Sequence, residues 1–280
     1  METVILATTT AALFGFSDFF GGLASRRDTA LAVTARAYLL GVVVMIAATV
    51  IAPGRAVTPA DLAWGVAGGL CGGLGVMALY AALACGRMSI VAPTTAALSG
   101  SLPALFDLLR GTAVRPVALA GLGLAIVAVI VVSATAGEKE EHELPRRALV
   151  LSIASGVLFA GAFLSFSFAG KDSGFAPLVA ARLVSGGLLT VLATVRLRRF
   201  RLAPGATAPT LAAGTMDALA TVTMISAIRI GPLAIASVLG SLYPVVTILL
   251  ARFVLGERLK GLQRVGIVLA LAAVLMAALG

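Results

Sequence analysis

Ten hydrophobic runs, nearly free of charge and each roughly as long as a bilayer is thick, leave this chain little choice of solvent. They fall at about 3–23, 31–52, 62–85, 90–109, 117–136, 148–170, 176–195, 209–228, 233–255 and 265–280, the last starting as early as Leu262. A helix rises about 1.5 Å per residue and the hydrocarbon layer is about 30 Å thick, so about 20 apolar residues make one crossing. Within that layer the backbone must satisfy its own polar groups, which permits helices or a closed barrel. The runs are continuous in Leu, Ala, Val and Gly, and aromatic residues make up only 6% of the chain. A barrel would need alternating segments and aromatic girdles. With 12% charged residues against about 25% in soluble domains, a soluble α/β enzyme, a coiled coil and a disordered chain are all excluded. The predicted fold class is an all-α integral membrane protein with ten transmembrane helices.

The formal charge of +9 does not mark a nucleic-acid binder. Its bases stand where hydrophobic runs stop: Arg26–Arg27, Arg146–Arg147, and Arg196, Arg198, Arg199 and Arg201. Such flanking bases anchor spans against anionic headgroups. The expected partners are the lipid bilayer and a small-molecule substrate, with a homodimer as the candidate assembly and no nucleic acid. Cys71 and Cys85 share one run, where helix geometry separates them by about 21 Å, too far for a disulfide. The first run has neither a basic leader nor a clear cleavage site, so it is expected to remain as a span. His142, the lone histidine, stands among four glutamates in a charged stretch, which makes no metal site. No cofactor and no metal are expected.

That charged stretch divides the chain into five runs and five runs. A shift of 145 residues superposes Gly86 on Gly231, Gly111 on Gly256 and Gly121 on Gly266; a shift of 146 superposes Ala35–Arg36 on Ala181–Arg182. An odd number of spans per half forces the halves into opposite orientations, so the expectation is two inverted repeats. The domains are read as 1–137, a linker at 138–147, and 148–280. In the third run Gly65, Gly69 and Gly73 recur every four residues, with Gly68 and Gly72 in a second register. Small residues at this spacing let helix backbones approach closely in lipid, for tight static packing or for sliding.

Two stretches carry a resemblance. The first is Arg229-Ile-Gly231-Pro232, continuing through Ser237, Gly240, Ser241 and Tyr243-Pro244; the second is Leu255-Gly256-Glu257-Arg258 leading into Gly266. They resemble the EamA-type families of the drug/metabolite transporter (DMT) superfamily, whose repeats end in a Gly-Pro entry, a Tyr-Pro or similar pair and a Gly-Glu-Arg turn. The first half carries a degenerate version with Gly86, Pro93, Pro103 and Arg110-Gly111-Thr112, threonine standing where the family has glutamate. The resemblance implies a ten-helix, two-repeat carrier of small organic metabolites, often an exporter of amino acids or related compounds. It also implies a central cavity that opens alternately to either side, and no bound cofactor.

Candidate site residues follow from what is costly in a membrane. Proline within a span frees a carbonyl, which marks Pro93, Pro103 and Pro244 as kink or gating points. Ser237, Ser241 and Thr247 precede or follow Pro244 on roughly one face and offer hydroxyls to a substrate. Ionisable residues inside spans are the other signal. Asp18 lies in the first run, Asp217 well inside the eighth, and Arg36 and Arg182 about 8–9 Å inside the second and seventh. Each arginine can snorkel to the interface. Asp217 sits on a polar seam with Thr210, Gly214 and Thr221; it is read as a proton or substrate site, with a static pair to Arg182 as the rival reading. Tyr80 and Tyr243 either line a cavity or sit in the interfacial belt, and Trp64 is an interface anchor. Asp107 and Arg252 are expected to finish helix ends. Gly256 and Glu257 are expected to shape the turn into the tenth span.

A secondary transporter in the cytoplasmic membrane is therefore the expected function. A membrane-embedded enzyme acting on lipid is the alternative, but it needs a nucleophile–base pair or metal ligands, and the one histidine lies in the linker. No GxxxxGK[ST] loop is present to drive an ATP-dependent pump. Loops after odd-numbered runs carry thirteen Lys/Arg and loops after even-numbered runs five. The positive-inside rule thus places both termini outside, whereas the resemblance implies both in the cytoplasm.

Overall fold

The structure, a computed structural model, describes residues 1–111, 115–134, 146–198, 201–230, 239–240, 242–257 and 261–279. Among them the chain forms ten α-helices, a short 3-10 turn at Lys171–Ser173 and no strand. The first five helices are α1 (Glu2–Ser25), α2 (Ala30–Ile51), α3 (Pro59–Cys85), α4 (Met88–Leu109) and α5 (Pro116–Ala134). The rest are α6 (Arg146–Ser167), α7 (Ala176–Leu197), α8 (Thr207–Ile230), α9 (Tyr243–Val254) and α10 (Gly261–Leu279). Six of these, α1, α2, α3, α6, α7 and most of α8, are long and apolar enough to cross a membrane. The chain is an integral, multi-pass membrane protein.

Helix starts are written locally. Thr29 caps α2, its hydroxyl accepting the Ala32 N–H at 3.2 Å. Ahead of α3 a capping box closes: Thr58 accepts from the Asp61 N–H and Asp61 accepts from the Thr58 N–H, with Pro59 at the first position where no donor is needed. The tenth helix begins at Gly261, four residues before the hydropathy boundary, because the polar pair Gln263–Arg264 in its first turn hides the start from an apolar count.

α3 is the hub of the bundle, packing on α1, α6 and α7. Its two glycine registers serve two different neighbours. A Cβ on Gly65 would stand 2.3 Å from the Pro177 carbonyl oxygen, one on Gly69 2.4 Å from the Ala181 Cα, and one on Gly73 2.7 Å from the Ser185 Cβ, all on α7. Gly68 and Gly75 instead face Phe166 and Phe159 of α6. Packing without side chains is the reason α3 can touch both helices along its length. On the far side α8 approaches α2 in the same manner, a Cβ on Gly214 falling 2.7 Å from the Ala37 Cα. Other contacts pair α1 with α8 and α9, α2 with α7, α5 with α10, and α4 with α5, α6, α9 and α10.

Loops lock the two ends. At one end Arg27 donates to the Gly205 carbonyl at 2.7 Å and Asp28 accepts the Ala203 N–H at 2.7 Å, joining the α1–α2 turn to the α7–α8 connection. At the other, Asp61 accepts the Gly170 N–H at 2.6 Å and the Arg55 N–H reaches the Asp172 carbonyl at 2.9 Å. Trp64, 39% exposed, lies against Phe168 there with ring centroids 4.7 Å apart.

Candidate functional site

Charges buried among apolar helices persist only when something compensates them, and the bundle interior holds one such compensated group. Arg182 on α7 is 8% exposed and Asp217 on α8 is 9% exposed; they form an ion pair through Nη2 and Oδ2. The same Nη2 donates to the Thr221 hydroxyl at 3.3 Å, one turn beyond Asp217 on α8. Thr221 in turn donates to the Asp217 carbonyl at 2.9 Å, so α8 presents carboxylate and hydroxyl together. On its third side the guanidinium lies over the Tyr38 ring of α2, 4.2 Å from the centroid. An ion pair, a hydroxyl and a π-face thus share one cation. Arg182 Nη1 is buried with no hydrogen-bond partner.

α1 and α3 supply the neighbouring polar groups. Tyr80 is 1% exposed, and its hydroxyl meets the Ser17 hydroxyl at 3.2 Å. Ser17 has one proton and spends it on the Ala213 carbonyl at 3.0 Å, so Tyr80 is the donor between them. The ring fits because Gly21 leaves it room: a Cβ there would fall 2.1 Å from Tyr80 Cζ. Asp18, 7% exposed on α1, lies within electrostatic reach of Asp217 and of Tyr243, and its Oδ2 is buried without a partner. Helices α1, α2, α3, α7 and α8 therefore converge on one polar cluster. The groove between α1 and α9, about 230 Å³ and lined by Thr8, Ala11, Leu239 and Val246 among others, carries no charged group.

Several expectations are revised by this geometry. Arg182 does not snorkel; it turns inward to Asp217. Arg36 donates to the Ala32 carbonyl at 3.0 Å, one turn toward the start of α2. Tyr80 is in the core and not in an interfacial belt, while Tyr243 is half-buried, edge-on to Phe14 at 6.1 Å. Pro93 and Pro103 lie inside α4 as expected from their positions. Pro244 lies in the first turn of α9, where the missing N–H costs nothing; residues 239–240 before it are helical, and 231–238 and 241 lie outside the described residues. Ser237 and Ser241 lie outside the described residues, as does His142.

The carboxylate of Glu257, expected to shape its own turn, reaches the start of α4. There it accepts from the Met88 and Ser89 N–H groups, each at 3.1 Å, and from the Ser89 hydroxyl at 2.7 Å. Arg26 stands 3.7 Å away. A carboxylate at a helix N-terminus satisfies orphan donors and meets the positive end of the dipole. Gly256 before it adopts φ 67°, and Gly111, 145 residues earlier, adopts φ 75°.

Tyr38 was not among the sequence candidates. The signal for it was a tyrosine in the interior of a span, three residues from Ala35 in the matched stretch; its stacking on Arg182 arises only when α2 meets α7.

Helices of membrane length around a buried ion pair define a multi-pass membrane protein with an interior polar site. Residues 146–279, most of the second half of the chain, match the EamA-like transporter family. A solved structure described only as "Crystal structure of protein" shares the fold, with a TM-score of 0.62 at 20% identity over 98% of this chain and 96% of that one. No curated protein matches the chain.

Proposed function

We propose that the protein is a secondary transporter that exports small organic metabolites, amino acids or related compounds, across the cytoplasmic membrane. The observation that carries this reading is the Arg182–Asp217 pair inside the bundle, bounded by Tyr38, Thr221, Tyr80 and Asp18. A charged cluster at this depth is expensive to keep and has no use in a purely structural subunit. Beside the pair stands a second acid, Asp18, that can meet a cationic group of a ligand, with Tyr80 and Tyr243 within electrostatic reach of it.

The repeat reading gives the mechanism. Exchange of α1 to α5 with α6 to α10 turns the α1–α8 contact into α3–α6, α3–α7 into α2–α8, and α4–α6 into α1–α9, and all six contacts are present. Gly214 follows Gly69 by 145 residues, and each meets the backbone of the other half. This supports two inverted five-helix repeats, 1–137 and 148–280 joined by 138–147, rocking about the α2–α7 contact where Tyr38 and Arg182 stack. The test is counterflow in proteoliposomes loaded with a mixture of radiolabelled amino acids. Saturable exchange above empty liposomes, lowered about tenfold in Arg182→Gln, is the expected result. A wild-type protein with no saturable exchange of any component would overturn the reading.

A further inference from the structure

We propose that Asp18 carries the exchangeable proton of the interior site, while Arg182 and Asp217 form a fixed ion pair beside it. The inference deepens the transport reading and rests on it for its purpose, coupling of substrate movement to a proton gradient.

The charge balance of the cluster leads to it. Arg182 contributes one positive charge and Asp217 one negative; they pair through Nη2 and Oδ2, with the Thr221 hydroxyl and the Tyr38 ring also on the cation and Nη1 left without a hydrogen-bond partner. Asp18 is then a surplus acid. Its Oδ2 is buried and receives no hydrogen bond. The groups that face it are of the wrong kind to hold it ionised. From α8 comes Asp217, a like charge; from α3 Tyr80, already committed to Ser17; from α9 Tyr243. On α2 the titratable side chains, Arg36 and Tyr38, point respectively to the Ala32 carbonyl and to Arg182. Among the described side chains α4 brings no charge within the membrane. A carboxylate with one oxygen buried and undonated loses hydration there without full compensation, whereas the neutral acid loses far less.

Asp217 is the less suitable carrier for the same reason reversed. Protonating it would strand the Arg182 guanidinium in the bundle, so its proton would have to overcome a buried ion pair. At Asp18 the cycle needs only a change of solvent access. With the site open to one side, the Oδ–H bond breaks and the proton passes to water, leaving a hydrated carboxylate free to take a cationic group of the substrate. After substrate leaves on the other side, a proton from water there restores the neutral acid and the site can close. One proton moves against one substrate, and no other co-reactant is required.

Infrared difference spectroscopy of the full-length protein in lipid nanodiscs, with the proton itself as the probe, decides the assignment. The neutral-acid carbonyl stretch is followed as pH is raised from 5 toward 9, in wild type, Asp18→Asn, Asp18→Glu and Asp217→Asn. The proposal expects a neutral-acid band in wild type that is lost in Asp18→Asn, moved in Asp18→Glu and, in Asp217→Asn, lost at a lower pH than in wild type, because the like charge is gone and Arg182 is left uncompensated. No neutral-acid band in wild type, or one that survives Asp18→Asn, would overturn it. Because the spectrum needs no transported substrate, a failure of counterflow would count against the transport reading and leave the proton assignment to this result.

Discussion

Arg182 and Asp217 come from helices 35 residues apart in sequence, and each is neutral in effect only while the other is present. Removing one partner of a buried pair leaves an uncompensated charge, costing about 3–5 kcal/mol, whereas replacing both with apolar residues is often neutral or stabilising. Asp217→Leu alone is therefore expected to lower thermal stability in detergent far more than Asp217→Leu combined with Arg182→Met. A double-mutant cycle with additive losses would contradict the pairing. Glu257 gives a second residue-scale prediction. Glu257→Ala strips two N–H groups and a hydroxyl of their acceptor, so a loss of about 1–2 kcal/mol is expected, readable as a fall in the unfolding midpoint. Replacing Ser89 with Ala in the same background should add little further loss, because its partner is already gone. The depth of Asp217 and Arg182 in their runs put that pair among the sequence readings, as the rival to a proton or substrate site at Asp217. The Glu257 contact was not among them, because it closes over 168 residues and nothing local at Gly256–Glu257 points to α4. Tyr38 was hidden for a related reason: a π-face becomes a ligand only when a cation is brought over it.

At the scale of the element, run length and the charges at run ends were enough to set the helices, since the bilayer fixes how long an apolar stretch must be. The α3 glycine ladder was equally legible, because a four-residue period in small residues can only be a contact stripe. What the sequence withheld was the division of labour: that Gly65, Gly69 and Gly73 address α7 while Gly68 and Gly75 address α6. That division is testable. A methyl at Gly69 would fall 2.4 Å from two backbone atoms of Ala181, which cannot yield without moving α7. Gly69→Ala is expected to lower the unfolding midpoint in detergent and to impair insertion or transport together. Gly123→Ala on α5, where nothing stands within 4 Å of the new methyl, is expected to be neutral or to stabilise by about 0.5–1 kcal/mol through better helix propensity. Equal effects of the two substitutions would refute the close-approach account of α3.

For the molecule as a whole, the end bearing Arg26, Arg27 and Glu257 joins the α1–α2 turn to the α7–α8 connection and the α9–α10 turn to the start of α4. Which side of the membrane that end faces follows from a reporter fused to either terminus: a cytoplasmic signal agrees with the family resemblance, an external one with the charge bias. Glu257 latches its turn to the start of α4, whereas in the sequence threonine, Thr112, stands 145 residues before it. The central claim is that the polar cluster lies on a path that opens to each side in turn. It is tested most directly by thiol accessibility. Thr221→Cys, placed beside Arg182 in a background with Cys71 and Cys85 replaced by Ser, is treated with a membrane-impermeant maleimide in right-side-out and in inverted vesicles. The account predicts labelling from both faces. Labelling from neither face, or from one face only, would contradict it.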